Sequence, residues 1–292
     1  MAQQLINALG LASVYMLFGL GFNLILGALN ILNVAQAALF SVGAYLVYWL
    51  MTAVGIPFLA AMLLAVVATG VVSVLVNELA LGPLRRRHSG GLIPLVASLG
   101  ASMVILAAVQ TASGAQILRL PAGAVPDTIW NIGSTHISLI LLLAVVSAGV
   151  LVVLTNFLLR STDFGKAIRA TEFSETAAKF VGIPTERVVR STFLISGILA
   201  GAAGVITALL FNSVSFLMGE PYLLKGFVIV VLGGFGSVRG TVFASFILAA
   251  VETVAVAAGY AGYRDAFAFS LLILILLLRP TGLFRSPERA RA

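Results

Sequence analysis

Cysteine is absent from this 292-residue chain, and histidine occurs only at His88 and His136. The first absence excludes a disulfide framework and any thiolate metal site. Two widely separated imidazoles do not make a metal centre either, so no metal site is expected. Charge is scarce as well, at 9% Asp, Glu, Lys and Arg, against about a quarter in soluble domains. No Lys or Arg precedes Arg85. The opening apolar run therefore lacks the basic leader of a signal peptide and is expected to be a retained transmembrane helix. Charges within the apolar runs are too few for an acid–base pair, and the serines there have no nearby histidine partner, which disfavours an enzyme.

What is present is hydrophobic sequence, 61% of the chain, in runs of roughly 20 residues able to cross a ~30 Å hydrocarbon core. The reading is an all-α polytopic bundle of about eight or nine spans forming one transmembrane domain, 1–292. The spans fall near 5–28, 34–54, 57–81, 92–112, 137–159, 190–212, 222–236, 240–259 and 265–280. The seventh is short and glycine-rich, a candidate broken or re-entrant helix. With nine spans and an extracytoplasmic N-terminus, 14 of the 17 basic residues fall inside and only Arg119, Lys225 and Arg264 outside. That skew follows the positive-inside rule and accounts for the net charge of +7 without nucleic acid as a partner.

Polar residues inside such runs need partners. Glu252 interrupts the eighth span, and Asn23 and Gln36 sit among apolar neighbours near the first turn; all three are candidates for the solute path. Asn33 is the expected N-cap of the second helix. Gly197-x-x-x-Gly201, with Gly204 one face over, has the small-xxx-small spacing that lets helices approach closely in lipid. Intra-subunit packing is the expected use. The run Gly233-Gly234-Phe235-Gly236-Ser237-Val238-Arg239-Gly240 lacks the Gly-Lys-Ser/Thr ending of a P-loop. It is expected to be a tight turn, and the chain is expected to bind no nucleotide or other cofactor. The outer loop 113–136 is expected to be ordered, either a connector or a docking site.

One segment breaks the pattern. Residues 160–190 hold six of the 17 Lys and Arg and four of the ten Asp and Glu. Ala170, Phe173, Ala177, Phe180 and Val181 share one helical face, Gly182 is placed as a C-cap, and Pro184 blocks continuation. The expectation is a cytoplasmic amphipathic helix, a glycine turn and a second short helix that dock onto a partner.

This segment, RSTDFGKAIRAT…ETAAKFVGI, resembles the cytoplasmic segment of the permease subunits of bacterial branched-chain amino acid ABC importers, in particular the LivH type. GFNLILGALNILNVAQAALFSVGAYLVY, VVLGGFGSVRGTVFASFILAAVE and RPTGLF resemble further parts of that family, so the likeness covers most of the chain. Gln36-Ala37 stands where members often have His-Gly. A loose coupling motif, Glu-Ala-Ala, three residues, then Gly, is matched in part by Thr176-Ala177-Ala178 and Gly182. The resemblance implies an inner-membrane importer with a second homologous permease, two ATPase subunits that hold ATP and Mg, and an extracytoplasmic amino-acid-binding protein. Ala170, Phe173, Ala177, Ala178 and Gly182 would couple to the ATPases. The rival reading is a self-sufficient secondary transporter or channel for small solutes such as urea or amides.

Overall fold

The computed structural model describes residues 2–86, 92–121, 128–132, 135–279 and 282–284. Lipid offers no hydrogen-bond partner to a peptide group, so apolar runs of this length close their backbone bonds internally as helices. In chain order these are α1 (Ala2–Leu29), α2 (Ala35–Thr52), α3 (Phe58–Val76), α4 (Gly82–Arg86), α5 (Ile93–Ser113), α6 (Leu139–Ser161), α7 (Asp163–Phe173), α8 (Glu175–Phe180), α9 (Thr185–Phe211), α10 (Glu220–Gly233), α11 (Val238–Ala257) and α12 (Arg264–Leu278). Among the described residues, eight helical stretches are long and apolar enough to cross a membrane. The third runs past its expected end at 81, because α3 continues through a π turn, Asn77–Leu81, into α4. The wide turn directly precedes Pro83, which has no N–H for the helical ladder.

Helix ends sort onto two opposite faces. On one, Gln3 Nε2 donates to the His136 carbonyl at 3.2 Å, and Leu118 pairs with Val214. This N-terminal face also carries an antiparallel hairpin, β1 (Ile129–Ile132) with β2 (Thr135–Ser138), inside the expected loop 113–136. Ser138 then caps α6, accepting from Leu141 N at 3.2 Å. On the other face, which carries α7 and α8, Arg190 pairs with Glu78 at 2.5 Å and Arg85 with Glu186 at 3.1 Å.

At the centre lie α1, α2 and α9, packed through small residues. A Cβ on Gly204 would stand 1.9 Å from the Phe40 carbonyl oxygen, and one on Gly43 would stand 2.6 Å from Gly201 Cα. Gly197 presses on Ser73 and Gly70 in the same way, and Gly201 on Thr69. The glycine spacing on α9 thus serves contacts to α2 and α3 within one subunit. Dispersion is short-ranged, so this backbone-to-backbone approach is what apolar helices gain by associating in lipid.

The seventh crossing is broken. Its helix, α10, has 14 residues, about 21 Å long, too short for a ~30 Å core. Residues 212–219 supply the rest: α9 stops at Asn212 in the left-handed region, φ 45°, and non-helical chain descends from the N-terminal face. From there α10 runs parallel to α1, with Tyr222 beside Tyr15 and Phe18, Gly226 against Phe18, and Gly236 against Gly27. The alternation of ends between faces is therefore that of nine crossings, with eight made by continuous helical stretches.

A buried charge cluster pins α10. Glu252 of α11 is fully enclosed. Tyr15 Oη donates to its Oε2 at 2.7 Å, and Lys225 of α10 lies 3.0 Å from both carboxylate oxygens, with its hydrogen bond directed at Oε2. Arg264 stands 3.5 Å from Glu252, and Asp265 stands 3.4 Å from Lys225. Lys225, counted with the outer-side charges at the start of the seventh span, is 13% exposed within the bundle. One further expectation fails. The N-cap position of α2 is Val34 with no side-chain cap, while Asn33 is buried, and both its amide atoms lack a partner among the described residues.

Two outcomes are expected from these contacts. Gly204→Val, forcing side-chain atoms against the Phe40 backbone, should cost about 1–3 kcal/mol or more and lower the melting temperature in detergent. Gly149→Ala, on an α6 surface with nothing within 4 Å, should leave it unchanged. Lys225→Met should destabilise by about 3–5 kcal/mol, because it strands a buried carboxylate. Adding Glu252→Gln should restore part of that loss in the same melting assay.

Candidate functional site

The polar insert is built from two short helices joined at Ser174. A single helix was expected to run to the glycine turn, but Ser174 adopts an extended conformation (φ −161°, ψ 114°) and accepts from Ala177 N at 3.2 Å, capping α8 afresh. Serine competes for backbone donors in this way, which favours a helix start over a helix interior. Thr162 caps α7, accepting from Gly165 N at 3.4 Å. At the far end Gly182 takes φ +85°, and its N–H and that of Ile183 return to Lys179 and Ala178 at 3.0 Å each. This is the left-handed close expected of a glycine C-cap.

One side of the insert is anchored. A Cβ on Gly165 would stand 1.9 Å from the Leu159 carbonyl oxygen, to which Arg169 Nη1 also donates at 2.7 Å. Ile168 packs with Ala28 of α1 and Val188 of α9. The other side is bare. Phe173 is 86% exposed, Phe180 87% and Val181 81%. Of the remaining predicted docking residues, Ala177 is exposed and Ala170 half-buried. Ala178 is buried and unable to meet a partner. Local ion pairs, Lys166 with Asp163 and Lys179 with Glu175 at 2.8 Å each, ride on the solvated surface. The Lys166 hydrogen bond and its charge hold the Asp163 carboxyl below its usual range. Exposed pairs of this kind add little stability. Two phenylalanines and a valine thus project from a charged two-helix element as an exposed apolar patch.

The three polar residues predicted for the solute path are not brought together. Asn23 brackets the glycine turn: its Nδ2 donates to Thr241 Oγ1 at 2.7 Å, and its Oδ1 accepts from Gly236 N at 2.9 Å. It also lines a cavity of about 870 Å³ on the insert face, between α1, α7 and the turn, together with Arg169, Glu172, Ser237 and Arg239. Gln36 is fully enclosed between α1, α2 and α9. Its Nε2 donates to the Ser196 carbonyl at 3.1 Å, and the Ser196 hydroxyl donates to Gly21 O at 2.7 Å with Gln36 Oε1 3.0 Å away. That is a helix joint, closed to solute in this conformation. Glu252 is committed to Tyr15, Lys225 and Arg264. Those three partners were missed because each stands on a different helix from Glu252. A fourth residue, Glu220 at the start of α10, was missed because the seventh span was taken to begin at 222. No group of three or more His, Cys, Asp or Glu able to hold a metal occurs among the described residues.

Comparison with known proteins finds similarity along nearly the whole chain. The chain is 28% identical over 306 aligned residues to the high-affinity branched-chain amino acid transport system permease protein LivH of Salmonella typhimurium, covering 98% of this chain and 96% of that one. It is 29% identical to the corresponding protein BraD of Pseudomonas aeruginosa, with the same two coverages. A probable LivH of Methanocaldococcus jannaschii matches at 26% identity over 93% of this chain and 89% of its own. Residues 4–276 match the family described as branched-chain amino acid transport system / permease component. The chain is a member of that permease family.

Proposed function

We propose that this permease moves aliphatic amino acids across the bacterial inner membrane by alternating access, as one half of a two-permease ABC importer. The insert face is cytoplasmic in this reading, which keeps most basic residues inside. Two ATPase subunits would dock on α7 and α8 and supply ATP and Mg, and a soluble binding protein would deliver the amino acid to the N-terminal face. The relatives named above for branched-chain amino acid transport support the substrate class. The single observation that carries the coupling assignment is the exposure of Phe173, Phe180 and Val181 on an otherwise charged element.

Physical reasons favour transmission through this element. Gly165 and Arg169 lock α7 to the end of α6, and Ile168 wedges it between α1 and α9. A push on the exposed phenylalanines is therefore delivered to the two central helices rather than absorbed by a loose loop. A self-powered secondary transporter fits less well, because Glu252 is already matched by Lys225 and Arg264 and so is not a free ion-coupling site.

Phe173→Glu and Phe180→Glu should each weaken capture of the ATPase subunits about ten- to a hundredfold, the loss expected for one well-buried aromatic anchor. Gly182 replaced by a bulky charged residue should act likewise, since φ +85° is strained for any side chain. The measurement is co-purification of tagged ATPase with each variant, alongside uptake in proteoliposomes. Unchanged assembly and uptake would rule out docking at this element.

A further inference from the structure

Tyr222 lies against Tyr15 and Phe18, which are the middle of the 28-residue α1. Since α10 runs alongside α1, Glu220, two residues earlier, sits within a few ångströms of that level. It is therefore about 20 Å from either end of α1, deep in the hydrocarbon thickness. Glu220 is exposed, and no hydrogen bond or ion pair engages its carboxylate among the described residues. Lys225, the nearest cation along α10, is turned to Glu252, Tyr15 and Asp265. Leu224 and Phe227 are exposed too, and with Glu220 they fall at spacings of four and three along one face of α10, while Leu217, in the turn just before it, is exposed as well. The chain just before them is non-helical, with Glu220 N bonded back to Leu217 O at 3.1 Å.

Lipid does not tolerate this combination. Irregular backbone at membrane depth persists only where protein buries it or where it lines a water-filled cavity. Ionisable side chains at that depth face a cavity or the bundle interior and mark solute pathways. A bare carboxylate beside an apolar stripe is also complementary to a small zwitterion with an aliphatic side chain. We infer that the face Leu217–Glu220–Leu224–Phe227 is one wall of the solute path, with Glu220 receiving the ammonium group of the amino acid and the apolar stripe receiving its side chain. This rests on the amino-acid importer reading above and names the contact within it.

Because the chain has no cysteine, single cysteines report on it cleanly. The full importer, with partner permease, ATPases and binding protein, is reconstituted in proteoliposomes. Leu224→Cys should then form a mixed disulfide with the thioalkyl group of a charged, water-soluble methanethiosulfonate, releasing methanesulfinate and gaining only the mass of that thioalkyl group, and be protected by leucine, whereas Leu277→Cys, on the outer surface of α12, should not react. Glu220→Gln should cut leucine uptake about ten- to a hundredfold, the loss of one charge-assisted hydrogen bond, with the ATPases still bound. Leucine uptake within twofold of wild type in Glu220→Gln, or Leu224→Cys no more reactive than Leu277→Cys, overturns the inference while leaving the importer reading intact. Loss of the partner permease from Glu220→Gln overturns it in favour of a subunit contact. Absence of amino-acid uptake by the wild-type importer would instead sink the reading on which it rests.

Discussion

Peptide groups in hydrocarbon have nowhere to donate or accept except within the protein, and most of this structure follows from that one constraint. Eight stretches meet it as long helices. With every apolar surface already content in lipid, the helices gain by close approach, so the centre is built where glycines let α9 press on Phe40, Thr69 and Ser73. The departures from helix are correspondingly informative. Each is tied in place: Asn23 ties the Gly236 turn to α1, and 212–219 is held by the Val214–Leu118 pairing and by Ser41 accepting from Gly219 N.

The polar insert obeys the opposite solvent. Its charges pair locally along the solvated surface, and its buried residues, Gly165, Ile168 and Ala178, hold it to the bundle. Having satisfied its own packing, it still presents Phe173 and Phe180 to water. On α12 the exposed leucines belong to a long apolar helix, whereas Phe173 and Phe180 stand on short helices rich in charge.

Much of this was legible in the residues. Runs of twenty apolar positions announce crossings, the glycine spacing on α9 announces close packing, and Gly182 before Pro184 announces the end of the insert. That the seventh crossing is short and broken was legible from its length and glycines, but the place of the break, 212–219, was not, because an apolar run reads alike whether a helix crosses fully or starts halfway. Glu252 was conspicuous as a cost, but its relief comes from Tyr15, Lys225 and Arg264, which only tertiary folding brings within 3.5 Å. Asn33 looked like a cap by position and is not one. Ser174 ends one helix and starts another in a stretch whose apolar periodicity ran straight through.

The cluster around Glu252 has a property that its hydrogen bonds do not reveal. Lys225 and Arg264 balance Glu252 and Asp265 in formal charge. An elementary charge displaced through the full membrane potential involves about 2.3 kcal/mol per 100 mV. A cluster that sums to zero can shift with α10 and α11 while doing almost no electrical work, so the resting potential of the cell neither drives nor opposes that movement.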